Sequence, residues 1–197
     1  MMINVLVVGD YNVGKTSIVK KFINKNNELD NDYIRTMLHN LYEHNNYFII
    51  DYAAHNYYDG YNYMNNFGKI DFVIYVFSLT DIDSLNYVQN VHNGIMTDID
   101  NKQKILDRMM GIGNNKIRTD LSFKELTSGI NNNTKFLLVG NKSDINNNAN
   151  NNANNTMKNN ILSFCKNNKL KYHQTSAKKN TGITELFYEI KRLYDNK

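Results

Sequence analysis

A chain of 197 residues is the size of one domain and has room for a full hydrophobic core. With 41% hydrophobic and 21% charged residues, it is neither a disordered polyelectrolyte nor a membrane bundle, and no apolar run approaches the ~18 residues of a spanning helix. One cysteine, Cys165, excludes an internal disulfide framework and a cysteine-built zinc site, and the +4 net charge is scattered, which predicts a solvated surface and no nucleic-acid partner.

The first expected element is a strand from Ile3 to Val8, a continuous apolar run suited to burial on both faces of a parallel sheet. This run meets Gly9 and Asp10 at once, with no basic region before it and no cleavage site after it. That argues against a secretory signal and for a reducing, cytoplasmic setting. A helix is expected from Thr16 to Ile23. Met37 to Glu43 and Tyr47 to Ile50 form a candidate hairpin across His44-Asn45-Asn46. Phe72 to Phe77 and Lys135 to Gly140 are further buried-strand runs. Leu170 to Gln174 is a weaker strand. Helical spacing recurs from Asp81, a plausible N-cap, to Ile95, then from Thr156 to Lys166 and from Thr181 to Tyr194. Alternating strands and helices predict an α/β sheet with right-handed crossovers.

Two stretches interrupt the alternation. Residues 98–133 are too long for a connection and are expected to be an insertion. Within it, short helices are expected at Lys102 to Met110 and Leu121 to Thr127. Asn146 to Asn155 is almost pure Asn and Ala and is expected to be a loop. Neither breaks the chain into separate units, so residues 1–197 are read as a single domain.

Gly9-Asp10-Tyr11-Asn12-Val13-Gly14-Lys15-Thr16 is a complete G-x-x-x-x-G-K-[ST] motif between an expected strand and an expected helix, the context of a P-loop. Gly9 and Gly14 let the backbone curl, so that the N–H groups from Asp10, Asn12 and Val13 through Ser17 face phosphate. The helix N-terminus adds partial positive charge. Lys15 reaches the β- and γ-phosphates, and the Thr16 hydroxyl suits Mg²⁺. Asn141-Lys142-Ser143-Asp144 follows a buried strand. A carboxylate at Asp144 accepts from the ring N–H and exocyclic amine of guanine, whereas adenine offers no such pair. Ser176-Ala177-Lys178 follows the last strand, with backbone N–H groups suited to the guanine oxygen.

These motifs, with Tyr33-Ile34-Arg35-Thr36 and Asp51, make the chain resemble a Ras-superfamily small GTPase over nearly its whole length, residues 98–133 excepted. The resemblance implies a three-layer P-loop fold: a six-stranded sheet with one antiparallel strand, five flanking helices, and ligand loops at the strands' C-terminal ends. It implies GTP/GDP and Mg²⁺ as ligands. Thr36 would bind the metal and sense the γ-phosphate, Asp51 would hold the metal through water, and Lys15 and Thr36 would serve hydrolysis. It also implies effector, exchange and GTPase-activating proteins as partners of a monomer. Phe77-Ser78-Leu79-Thr80-Asp81 resembles the fourth-strand exit of Rab and Ras members, which implies a Rab-like role in trafficking or signalling.

Three departures qualify that expectation. The family's Asp-x-x-Gly-Gln reads Asp51-Tyr52-Ala53-Ala54-His55 here. Ala54 keeps the N–H that meets the γ-phosphate but restricts the backbone, and His55 takes the catalytic place of the glutamine that positions water, where an imidazole either holds water with a different reach or positions it in the glutamine's stead. Slow GTP hydrolysis is expected, or, alternatively, a hydrolysis-deficient GTP-bound module docking partners through its switch segments and insertion. Leu29 stands where an aromatic residue flanks guanine, which weakens retention. The C-terminal segment carries no cysteine, so no direct lipid anchor is expected. Tyrosines 52, 57, 58, 61 and 63 crowd the second switch, which suits either effector contact or ordinary packing of the switch on the third helix. Cys165 is expected in the core, and His39, His44, His92 and His173 show no ligand spacing.

Overall fold

The computed structural model describes residues 1–24, 39–52, 68–109, 129–145 and 151–196. In chain order these form β1 (Ile3–Gly9), α1 (Lys15–Ile23), β2 (His39–His44), β3 (Tyr47–Tyr52), β4 (Phe72–Ser78), α2 (Ile82–Met109), β5 (Lys135–Asn141), α3 (Asn151–Asn168), β6 (Lys171–Gln174) and α4 (Ile183–Asp195). The six strands make one sheet in the order β2-β3-β1-β4-β5-β6, and only β2–β3 is antiparallel. The expected mostly parallel α/β sheet is therefore present.

Both faces of the sheet are covered, which is why β1, β4 and β5 read as unbroken apolar runs. On one face Val5, Val7, Ile74, Val76, Leu137 and Val139 pack against Ile18 and Val19 of α1 and Leu186, Phe187 and Ile190 of α4. On the other, Leu6, Val8, Tyr75, Phe77 and Leu138 meet Leu85, Val88 and Ile95 of α2 and Ile161 and Phe164 of α3. Cys165 is half-buried beside this second cluster, and burial pushes its thiol up. Of the described histidines, only His92 is nearly enclosed, at 2% exposure. Its Nδ1 lies 3.2 Å from the Tyr75 hydroxyl, and its ring meets Tyr75, Phe136 and Phe164 edge-on.

Three expectations are corrected. The helix opening at the Asp81 cap, where the Asp83 N–H donates to Asp81 Oδ1, does not stop at Ile95. It continues as one 28-residue helix to Met109, about 42 Å long, and absorbs the separate helix expected from Lys102. Lysine, glutamine and leucine in that stretch have good helical propensity, so no local signal ends the helix before Gly111. The Asn-rich loop is shorter than expected at its far end, because α3 begins at Asn151. Its later turns dock through Ile161 and Phe164, and that anchorage carries a weakly helical polar start. The third correction concerns Gly9 and is set out below. Four of the five implied helices fall among the described residues. The helix expected from Leu121 lies outside them.

Candidate nucleotide-binding site

The parallel strands deliver three loops to one edge of the sheet. The first joins β1 to α1. Asn12 at φ 55° and Gly14 at φ 93° adopt left-handed conformations within this short turn, which curls successive N–H groups toward a common centre. Gly14 caps α1 without a side-chain hydrogen bond, which leaves the first-turn N–H groups directed out of the helix end. A Cβ on Gly14 would stand 2.3 Å from Asn141 Nδ2. Gly9 has a different role from the one expected. Its φ is not positive, and it serves as the last residue of β1. A Cβ there would stand 2.0 Å from the Val76 carbonyl oxygen, so this glycine lets β1 and β4 approach. At Asp10, Oδ1 accepts from the Tyr11 N–H at 2.7 Å.

Lys15 folds back over the loop. Its Nζ donates to the carbonyls of Gly9 at 2.9 Å and Asp10 at 2.7 Å, and the side chain is buried. Burial lowers its pKa to about 8, against the opposing pull of Asp51 and Asp10. One residue on, Thr16 Oγ1 donates to Asp51 Oδ2 at 2.5 Å. Asp51 has 0% exposure, and its Oδ1 has no hydrogen-bond partner. Burial raises the Asp51 pKa, while the Thr16 hydroxyl, Lys15, Asn40 and Lys20 pull it back. An orphaned, enclosed carboxylate oxygen is costly without a cation to meet it. A hydroxyl and a carboxylate side by side are the hard oxygen donors that Mg²⁺ takes, so Thr16 and Asp51 fit that ion.

The second and third loops form the other half of the edge. Asn141 is almost fully buried and holds both. Its Nδ2 donates to the Val13 carbonyl at 2.9 Å, while its Oδ1 accepts from Thr175 Oγ1 and the Ala177 N–H, each at 3.2 Å. Lys142 is left-handed at φ 63°, which turns the chain so that Asp144 faces Ser176. Ser176 Oγ donates to Asp144 Oδ1 at 2.5 Å and accepts from the Lys179 N–H at 3.0 Å. This hydroxyl, first among several causes, holds the Asp144 carboxyl below the usual carboxylate range. Ser176 and Thr181 exchange backbone hydrogen bonds at 3.0 and 3.1 Å, closing the loop that carries Ala177 and the exposed Lys178.

Gly9, Asp10, Asn12, Val13, Gly14, Lys15, Thr16, Ser17, Asp51, Asn141, Lys142, Asp144, Ser176, Ala177 and Lys178 thus belong to three loops, the ends of β1, β3 and β5 and the first turn of α1, along a single edge. Leu29, Tyr33, Thr36, Ala54, His55 and tyrosines 57, 58, 61 and 63 lie outside the described residues. Three residues enter the site without having been singled out from sequence. Thr175 bonds Asn141, Asn40 pairs with Asp51 across the β2–β3 register, and Lys20 acts on the Asp51 carboxylate. The only sequence signal for Lys20 was its position four residues after Thr16, on the same helix face.

A description of the Ras family matches residues 4–121 and 115–196. The chain belongs to the Ras family. Its members are small GTPases, nucleotide-binding switches that bind GTP and GDP, generally with Mg²⁺, and interact with regulators and effectors. The two matched segments overlap at residues 115–121, inside the stretch where the family pattern was expected to be interrupted. No curated protein matches the chain. No helix among the described residues is long and apolar enough to cross a membrane.

Proposed function

We propose that this Ras-family chain is a slow, Mg²⁺-dependent GTPase switch, monomeric and cytoplasmic, with a Rab-like role in intracellular trafficking or signalling. The observation that carries the reading is the joint held by Asn141, which ties the phosphate loop at Val13 to the loop that presents Ala177. One side chain thereby fixes the distance between a phosphate cradle and a base pocket.

In this reading the N–H groups of the Asn12–Ser17 turn bind the phosphates, and Lys15 leaves its carbonyl partners to neutralise their outer charge. Asp144, held ionised by Ser176, accepts from the guanine edge, and Ala177 donates to the guanine oxygen. Lys142 and Lys178 flank the base with their aliphatic stems, and Leu29 and Tyr33 close over the nucleotide. Thr16, Thr36 and Asp51 would hold Mg²⁺, which neutralises phosphate charge when bound. His55 orients water less well than a longer amide does, and Ala54 limits how the second switch closes. Both make hydrolysis slow or dependent on an activating partner.

Single-turnover hydrolysis of radiolabelled GTP tests this. A slow wild-type rate, raised by a His55→Gln, Ala54→Gly double substitution, supports the reading. A rate too small to measure in both proteins supports instead a GTP-loaded module that docks partners through its switches and insertion.

A further inference from the structure

Gly140 precedes Asn141 at the end of β5, and its lack of a side chain is a matter of space. Its φ is not positive, so no backbone conformation requires glycine there. A Cβ on it would stand 2.7 Å from the Tyr172 hydroxyl oxygen and 3.0 Å from Leu79 Cδ2, inside the ~3.5 Å of ordinary contact. Tyr172 pairs with Leu138, two residues before Gly140, so its ring leans forward along the sheet to bring the hydroxyl over Gly140. That hydroxyl is shut off from solvent. Phe77, opposite Gly140 on β4, stacks beside the ring, with centroids 6.4 Å apart and planes inclined by 25°. The backbone here is tied on both sides. The Leu79 N–H donates to the Asn141 carbonyl and the Thr175 N–H to the Gly140 carbonyl, each at 2.9 Å. The Ser143 N–H then donates to the Thr175 carbonyl at 3.1 Å. A shift of Gly140 is therefore passed to Asn141 and to the loop that carries Asp144.

We propose that Tyr172 is a positioning residue for base recognition. With Leu79 it fills the space that a side chain at position 140 would take, and so fixes the level at which β5 delivers Asn141 and Asp144 to the guanine edge. The inference rests on the nucleotide-site reading above. Asp144 distinguishes guanine from hypoxanthine through one group, the exocyclic amine. A displaced acceptor no longer meets that donor in line, and a hydrogen bond weakens steeply as it bends. Phosphate binding by the Asn12–Ser17 turn is common to both nucleotides, so a displacement of the Asp144 loop changes the ratio of their affinities. A general loss of packing lowers both together and leaves the ratio as it was.

The test measures affinities for GDP and for inosine diphosphate, which lacks the exocyclic amine. It uses the wild-type protein, Gly140→Ala, a Gly140→Ala, Tyr172→Phe double variant and Tyr172→Leu, with a thermal melt of each. In Gly140→Ala the methyl group meets the hydroxyl, and the preference for GDP is expected to fall about tenfold. The double variant removes the hydroxyl and puts the methyl in its place, and is expected to recover most of that preference. Tyr172→Leu empties the space and is expected to lower the preference as well. A preference unchanged in both Gly140→Ala and Tyr172→Leu overturns the role of Tyr172 while leaving the site reading intact. So does a double variant no better than Gly140→Ala. Should Gly140→Ala fail to fold, Tyr172→Leu decides: a lowered preference supports the role, and an unchanged one overturns it. A wild-type protein that binds neither nucleotide at saturating Mg²⁺, or binds both equally, overturns the site reading and this inference together.

Discussion

Asn141 Nδ2 donates to the carbonyl of Val13 at 2.9 Å, across 128 residues of chain, and so joins the loop after β5 to the loop after β1. The same amide accepts from Thr175 and Ala177. Replacing it with alanine strands a buried carbonyl and two buried donors. Asn141→Ala is expected to lower stability by about 3 kcal/mol in urea unfolding, with loss of nucleotide retention. A change below about 1 kcal/mol would mean that the three loops are held by something else.

The glycines separate two kinds of constraint. Gly9→Ala drives a methyl group to within 2.0 Å of the Val76 carbonyl, so β1 and β4 must part beside the site. A cost of about 3 kcal/mol or more is expected. Gly68, unlike Gly9, has a positive φ, at 65°, yet no described atom lies within 4 Å of a Cβ there. Gly68→Ala should cost only about 1 kcal/mol, the backbone penalty alone. Thermal melts of the two variants distinguish steric approach from conformational freedom, and equal losses would contradict that assignment.

Acid should weaken the fold through His92. Burial holds its pKa below 6.5, with Asn168 opposing, and burial likewise lowers His173. A histidine with a depressed folded pKa binds its proton more readily when unfolded. Its contribution is therefore whole above pH 6.5 and is lost as pH falls below that value. The slope from His92 is at most about 1.4 kcal/mol per pH unit. Urea midpoints at pH 7.5 and 5.5 should differ in the wild type and differ less in His92→Gln. An identical acid loss in the variant would place the sensitivity elsewhere.

Base selectivity should follow Asp144. An amide in its place donates where the carboxylate accepts, so Asp144→Asn is expected to lose guanine nucleotides and gain xanthine nucleotides, by about a hundredfold in relative affinity. Competition binding reads this directly. Unchanged guanine preference would remove Asp144 from base recognition.

What was legible in the sequence was what is local or buried on both sides. The β1, β4 and β5 runs announce a covered parallel sheet, and the Gly9–Thr16 and Asn141–Asp144 motifs announce loops at strand ends. The end of α2 was not legible, because polar residues beyond Ile99 give no packing signal while their propensity lets the helix run on. The start of α3 was hidden for the opposite reason. Its asparagines are weak helix formers, and their helix is carried by contacts ten and more residues away. The role of Gly9 depends on Val76, and the surroundings of Asp51 depend on Asn40 and Lys20. Such neighbours are brought together by register and helix face, which a linear motif does not encode.

The central claim, a guanine-nucleotide switch built on the Asn141 joint, is tested most directly by purifying the protein in Mg²⁺, denaturing it, and identifying the released nucleotide by chromatography. A guanine nucleotide at near one equivalent is the expected result, with GDP indicating turnover and GTP a protein that stays loaded. An adenine nucleotide, or none after incubation with excess GDP and Mg²⁺, would contradict it.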